Sequence, residues 1–146
     1  MISSSAAWGL ALSRGMDYLE TDKDINSKKV AVFGFSRLGK AALWAVANDS
    51  RFAMVISSES GAGGAKLFHR GIGENIRRLV NAFPHWYAKS FRKHIDKDTL
   101  MPFDQYFIMD LIAPRQSTLQ VPKEIKALIR RVNLPALSKR IKSTAF

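Results

Sequence analysis

The sequence predicts an α/β fold, a parallel sheet with helices packed against it. Two observations carry that expectation. Lys29-Val30-Ala31-Val32-Phe33-Gly34 is a short β-branched and aromatic run, bounded by Lys and Gly, and reads as a buried strand; residues 51–57 read as a second. Between them, residues 38–46 are rich in Ala, Leu and Trp and read as a helix. Strand, tight turn, helix and strand over about 30 residues make one βαβ unit, the connection that parallel pairing requires.

The other elements follow from spacing and breakers. Residues 6–20 put Trp8, Ala11, Leu12, Gly15, Met16 and Leu19 on one stripe at intervals of three and four, which predicts an amphipathic helix. Residues 22–29 are polar and turn-like. The second strand runs into Glu59-Ser60-Gly61-Ala62-Gly63-Gly64, too rich in glycine for a helix and lacking the Lys-Ser/Thr pair of a phosphate loop. Residues 74–82 predict a helix that stops near Pro84. Two more helices are expected at 86–93 and 103–112, the latter broken by Ala113-Pro114-Arg115. Asn48-Asp49-Ser50 fits a glycosylation acceptor by pattern but reads as a helix terminus. Near the end, Ile125, Leu128, Ile129 and Val132 share one face of a basic amphipathic segment.

Composition narrows the classes. The 146 residues are 47% hydrophobic and 24% charged, ordinary values for one globular domain. With no cysteine, disulfides and thiolate metal sites are out of the question, and scattered Asp and Glu show no ligand spacing. The first residues lack the basic and apolar regions of a signal peptide, and no apolar run is long enough to predict a membrane span. The net charge of +11 suggests an anionic partner, but its distribution matters more. Residues 1–115 carry 16 Lys and Arg against 11 Asp and Glu, whereas residues 116–146 carry 7 against 1. That jump divides the chain into a domain at 1–115 and a basic tail at 116–146. The tail has only Phe146 as an aromatic, no stacking platform for single strands, and no nucleic-acid motif appears; no nucleic-acid partner is expected.

The densest chemistry lies in Gly34-Phe35-Ser36-Arg37-Leu38-Gly39-Lys40, between strand and helix. A serine hydroxyl is a poor nucleophile at neutral pH and needs exposure, a base and an oxyanion site. A sharp strand-to-helix turn lifts the serine above the sheet edge and aims the next backbone N–H at a developing oxyanion. The helix N-terminus adds partial positive charge there. The second glycine is displaced by one from the Gly-x-Ser-x-Gly spacing, to Gly39, so a turn whose serine merely caps the helix stays open.

This segment, continued through Ala41-Ala42-Leu43 and followed by Glu59-Ser60-Gly61-Ala62-Gly63-Gly64, resembles the signature pair of glucuronoyl esterases. Those carbohydrate esterases, of the α/β-hydrolase superfamily, cleave the ester between glucuronate on xylan and alcohols of lignin. The displaced glycine is part of the resemblance. Ala7-Trp8-Gly9, Ser13 to Leu19, Phe83-Pro84-His85-Trp86, Phe103-Asp104-Gln105 and Leu111-Ile112-Ala113-Pro114-Arg115 are also similar, so it spans residues 6–115. It implies Ser36 as nucleophile, Arg37 as oxyanion donor through backbone and side chain, Glu59 as the acid orienting a catalytic histidine, and Lys40 as a contact to the uronate hydroxyls. It implies no cofactor, a glucuronoxylan–lignin ester as substrate, and a secreted or periplasmic setting for intact members. Read without the resemblance, Lys40 is a helix lysine open to solvent and Glu59 a loop carboxylate.

The base is missing from this picture. Only His69, His85 and His94 are present; His69 and His94 sit among basic residues and read as surface, and none is assigned to catalysis. After Arg115 the sequence departs from the resemblance, with Gln116-Ser117-Thr118-Leu119-Gln120 where an apolar strand is expected. A partial α/β-hydrolase, incomplete at both ends, with little or no turnover by itself, is therefore expected. The oligomeric state is not predicted. Acetyl-xylan or other carboxylesterase activity is the first rival, and a non-catalytic basic protein binding an anionic surface the second.

Overall fold

The computed structural model describes residues 3–120. Helix α1 (Ser4–Leu19) leads through a 3-10 turn (Ser27–Lys29) to strand β1 (Ala31–Phe35), then helix α2 (Arg37–Asn48) and strand β2 (Met54–Ser58). A long connection follows, with helix α3 (Ile76–Ala82), two 3-10 helices (Lys89–His94, Asp98–Leu100) and helix α4 (Tyr106–Ile112), before strand β3 (Gln116–Gln120). The sheet is parallel, in the order β1-β2-β3, with Val32 opposite Val55 and Val55 opposite Ser117. The α/β expectation holds, and α2 is the crossover of the predicted βαβ unit. Among the described residues no helix is long and apolar enough to cross a membrane.

The main core surrounds α2. Ala42, Leu43, Ala45 and Val46 pack with Met16 of α1, Val32 and Val55 of the sheet, Phe52, and Ile112 of α4. Burying each large apolar side chain of this set contributes roughly 1.5–3 kcal/mol. A second core lies under the long connection, with Phe68, Ile76, Leu79, Val80 and Met101 around Ala62. Asp104 stitches that connection together: its buried carboxylate accepts the N–H groups of Phe68 (2.8 Å), His69 (2.9 Å) and Gln105 (2.7 Å). Burial pushes its pKa up, but these backbone bonds outweigh it and hold the acid below the ordinary carboxylate range.

Four expectations need correction. Helix α1 turns Gly9 and Met16 inward, while Ala11, Leu12 and Gly15 of the predicted stripe are exposed. A Cβ on Gly9 would stand 2.8 Å from the Trp44 ring, so backbone approach at that glycine, not the bulk of the stripe, sets the rotation of the helix. Strand β1 is not buried on both faces: Val32 and Gly34 point into the core, and Ala31, Phe33 and Phe35 are exposed. Residues 86–93 do not form an α-helix; Trp86 is turned into the core and a 3-10 helix begins only at Lys89. Finally, Gln116–Gln120, which the residue pattern does not announce as a strand, pairs along its whole length with β2. The amphipathic segment at 122–132 lies outside the described residues.

Arginines tie the layers at the α2 terminus. Arg51 reaches Asp49 (2.7 Å), Asp17 (2.8 Å) and Glu20 (2.6 Å), joining α1 to the loop after α2. Arg115 donates to the carbonyls of Val46 (2.7 Å) and Asp49 (3.0 Å) and to that of Ile112 (3.1 Å), serving the ends of α2 and α4 together. Asn48 closes α2 as expected, its amide donating to the Trp44 carbonyl.

The hydrogen bonds from Arg51 are the main reason that Asp49 titrates at about 2 instead of its ordinary 3.8. A folded value below the unfolded one stabilises the protein above the unfolded value, and the contribution fades as pH falls toward 2. Asp49→Asn is therefore expected to cost about 1 kcal/mol and roughly 3–6 °C of melting temperature at neutral pH. Thermal melts of both proteins from neutral to acid pH check this; the gap should narrow through that window.

Candidate active site

Ser36 links β1 to α2 with φ 53 and ψ −121, a strained backbone for a residue with a Cβ, and its side chain makes no capping bond. The alternative of a plain helix cap is therefore not what the structure contains. Its N–H donates to the Ser58 carbonyl (2.9 Å), pinning the turn to the end of β2. Gly34 makes the turn possible, since a Cβ there would overlap the Leu38 carbonyl. The displaced glycine has an equally physical cause. At Gly39 a Cβ would stand 3.0 Å from the Ser60 Cβ and 3.1 Å from the Ser57 hydroxyl, so this position faces the sheet and the following loop. Leu38, where the usual motif has its glycine, is exposed and needs none.

Glu59 follows β2 directly, at φ 47, with its side chain exposed. Among the described residues neither its carboxylate nor the Ser36 hydroxyl engages a protein partner. The glycine loop beyond Glu59 is fixed from below by Lys40, which is not the solvent-facing lysine that bare helix position suggests. Lys40 is 7% exposed, and its ammonium donates to the carbonyls of Ala62 (2.7 Å) and Ser60. Burial lowers its pKa, while the nearby Glu74 carboxylate pulls in the opposite direction.

Ser36, Arg37, Lys40 and Glu59 all line one pocket of about 450 Å³, completed by Glu74, Arg78, Leu79, Ala82, Phe83 and Trp86. The sequence alone does not mark these last six as site residues. Glu74, Arg78 and Ala82 stand four apart and so share one face of α3 and its entry, a spacing visible in the sequence. Nothing in the spacing says that this face meets Ser36. The Glu74 carboxylate accepts the Ala62 N–H (3.2 Å), and Phe83 stacks on Trp86 at 3.8 Å with 5° between the rings.

No histidine lines this pocket. His69 approaches the Met101 carbonyl (2.9 Å) and Asp104 (3.6 Å). His85 meets the edge of Trp86 at 6.3 Å. His94, expected at the surface, is half-buried between Phe91 and Phe103. Among the described residues no three metal-binding side chains converge.

A family model described as "Glucuronyl esterase, fungi" matches residues 1–133. The chain belongs to the glucuronoyl esterase family. The match runs past the change of composition at 116. A carbohydrate esterase from an unknown prokaryotic organism is 50% identical over 121 residues, which cover 83% of this chain and 28% of that protein. The glucuronoyl esterase of Solibacter usitatus has the same fold at a TM-score of 0.78, with 45% identity over 82% of this chain and 30% of the other. A variant of the Sporotrichum thermophile enzyme, bound to methyl 4-O-methyl-β-D-glucopyranuronate, aligns at a TM-score of 0.72 and 29% identity, covering 80% and 35%. The chain thus spans about a third of the length of each of these relatives.

Replacing Lys40 by Met would keep the volume and strand the Ser60 and Ala62 carbonyls without their donor. The expected cost is about 2–3 kcal/mol in urea titration. Amide exchange should accelerate in residues 59–66 while the α2 core keeps its protection. Uniform acceleration everywhere would show that Lys40 does not act through this loop.

Proposed function

We propose that this chain carries the nucleophile side of a serine ester hydrolase site for esters of 4-O-methyl-glucuronate. The observation that carries the proposal is the strained, uncapped Ser36 opening onto the same pocket as Glu59. In this reading the Ser36 hydroxyl attacks the ester carbonyl and forms an acyl-enzyme as the alcohol leaves. The Arg37 N–H and guanidinium receive the oxyanion, the step at which preorganised donors act most strongly. Glu59, with no partner among the described residues, orients the imidazole that takes the Ser36 proton. Lys40 holds the Glu59 loop and presents the buried positive edge against which the uronate hydroxyls lie. The ester bound to the Sporotrichum thermophile variant supports the substrate class. A substrate built into xylan places the working enzyme outside the cytoplasm.

The proton acceptor is the part this chain does not bring to the pocket, because none of its three histidines lines it. Hydrolysis of methyl glucuronate by the purified chain is therefore expected to fall at least about 1,000-fold below that of a full-length relative. Added imidazole should raise the rate severalfold, and Ser36→Ala should abolish the rise. Brisk turnover without added imidazole would refute the missing-base reading. An imidazole effect unchanged in Ser36→Ala would refute the nucleophile assignment.

A further inference from the structure

Five formal charges line the pocket, and they are not equally free. Lys40 spends its ammonium on two loop carbonyls, and Glu74 spends its carboxylate on the Ala62 N–H. Arg77, the neighbour of Arg78 on α3, pairs with Asp96 outside the pocket. Among the described residues the guanidiniums of Arg37 and Arg78 have no ion pair and no hydrogen bond, although both side chains line the pocket with Ser36. One carboxylate without a partner among the described residues, that of Glu59, lines the same pocket. Beside them the Phe83–Trp86 stack offers an aromatic wall, with Phe83 37% exposed.

We infer that Arg78 is a specificity residue, binding the free carboxylate of a uronic acid in concert with Arg37. The pocket then favours the acid released by hydrolysis over the neutral ester that enters. The inference rests on the pocket being the uronate ester site. Guanidiniums recognise carboxylates through paired N–H donors in a plane, a geometry an ester cannot use with equal strength because it lacks the negative charge. The aromatic wall supplies a flat apolar surface for the sugar ring, so a ring-borne carboxylate is matched better than a small anion. Arg78 stands on an exposed helix face and carries no part of either core, so its replacement leaves the fold intact.

The test is a heteronuclear NMR titration of the intact, isotope-labelled chain at low ionic strength with D-glucuronate, its methyl ester, D-glucose and acetate. Glucuronate is expected to bind about tenfold more tightly than the ester, and more tightly than acetate or glucose. Arg78→Gln should remove that advantage, weakening glucuronate binding far more than ester binding. Arg78→Lys should restore part of it, and Arg77→Gln should have no effect. Equal affinity for acid and ester, acetate binding as well as glucuronate, or an acid preference that survives Arg78→Gln would each overturn the role of Arg78 alone. Absence of binding by both glucuronate and its ester would overturn the inference together with the uronate reading on which it rests.

Discussion

The site hangs on one steric fact: nothing larger than hydrogen fits between position 34 and the Leu38 carbonyl. With glycine there, the chain reverses from β1 into α2 within two residues and leaves Ser36 at the top of the turn. The same close return presses Gly39 against Ser57 and Ser60 at the end of β2. Lys40, next in line, is thereby carried under the loop that follows Glu59 and meets its carbonyls. The position of the acid loop relative to the serine is thus a consequence of the turn. It is not a separate achievement of the loop.

Such an arrangement is costly and has to be held. A buried ammonium loses its hydration, and only well-placed acceptors offset that loss. Ser60 and Ala62 supply them through backbone oxygens, which cannot titrate away. Positive φ at Ser36 and Glu59 costs of order 1–3 kcal/mol each, and it persists because the flanking elements leave no alternative. The core around α2 fixes the serine side, while the core under residues 62–101 fixes α3, the opposite wall. Asp104 binds the second core to the start of α4, so both walls refer to one framework.

Much of this was legible in the residues. The βαβ unit, the strained turn and the glycine loop depend on local sequence, where Gly, Ala and β-branched runs have few conformational choices. Features set by distant partners were not. The rotation of α1 depends on Trp44 lying over Gly9, which spacing within the helix cannot reveal. Gln116–Gln120 has no apolar alternation and becomes a strand because β2 offers a free edge of backbone groups. Trp86 abandons a helical pattern to stack with Phe83 and enter the core. Glu74 and Arg78 sit on a recognisable helix face, but the fold alone decides that it overlooks Ser36. His94 looked like a surface residue among Arg92 and Lys93, yet aromatic rings on both sides half-bury it.

Net charge says little about the ligand this pocket would take. The chain carries +11 overall, and residues 116–146 hold 7 Lys and Arg against 1 acid. The pocket itself brings Arg37, Lys40 and Arg78 against Glu59 and Glu74, nearly balanced in formal charge. What the pocket can recognise is set by which of these charges are already satisfied. Lys40 and Glu74 already hold backbone groups, whereas Arg37, Arg78 and Glu59 have no partner among the described residues. The elements that position those three are the turn, the loop and α3, and none of them depends on an imidazole. The geometry that sets these three side chains around the pocket is therefore independent of any imidazole.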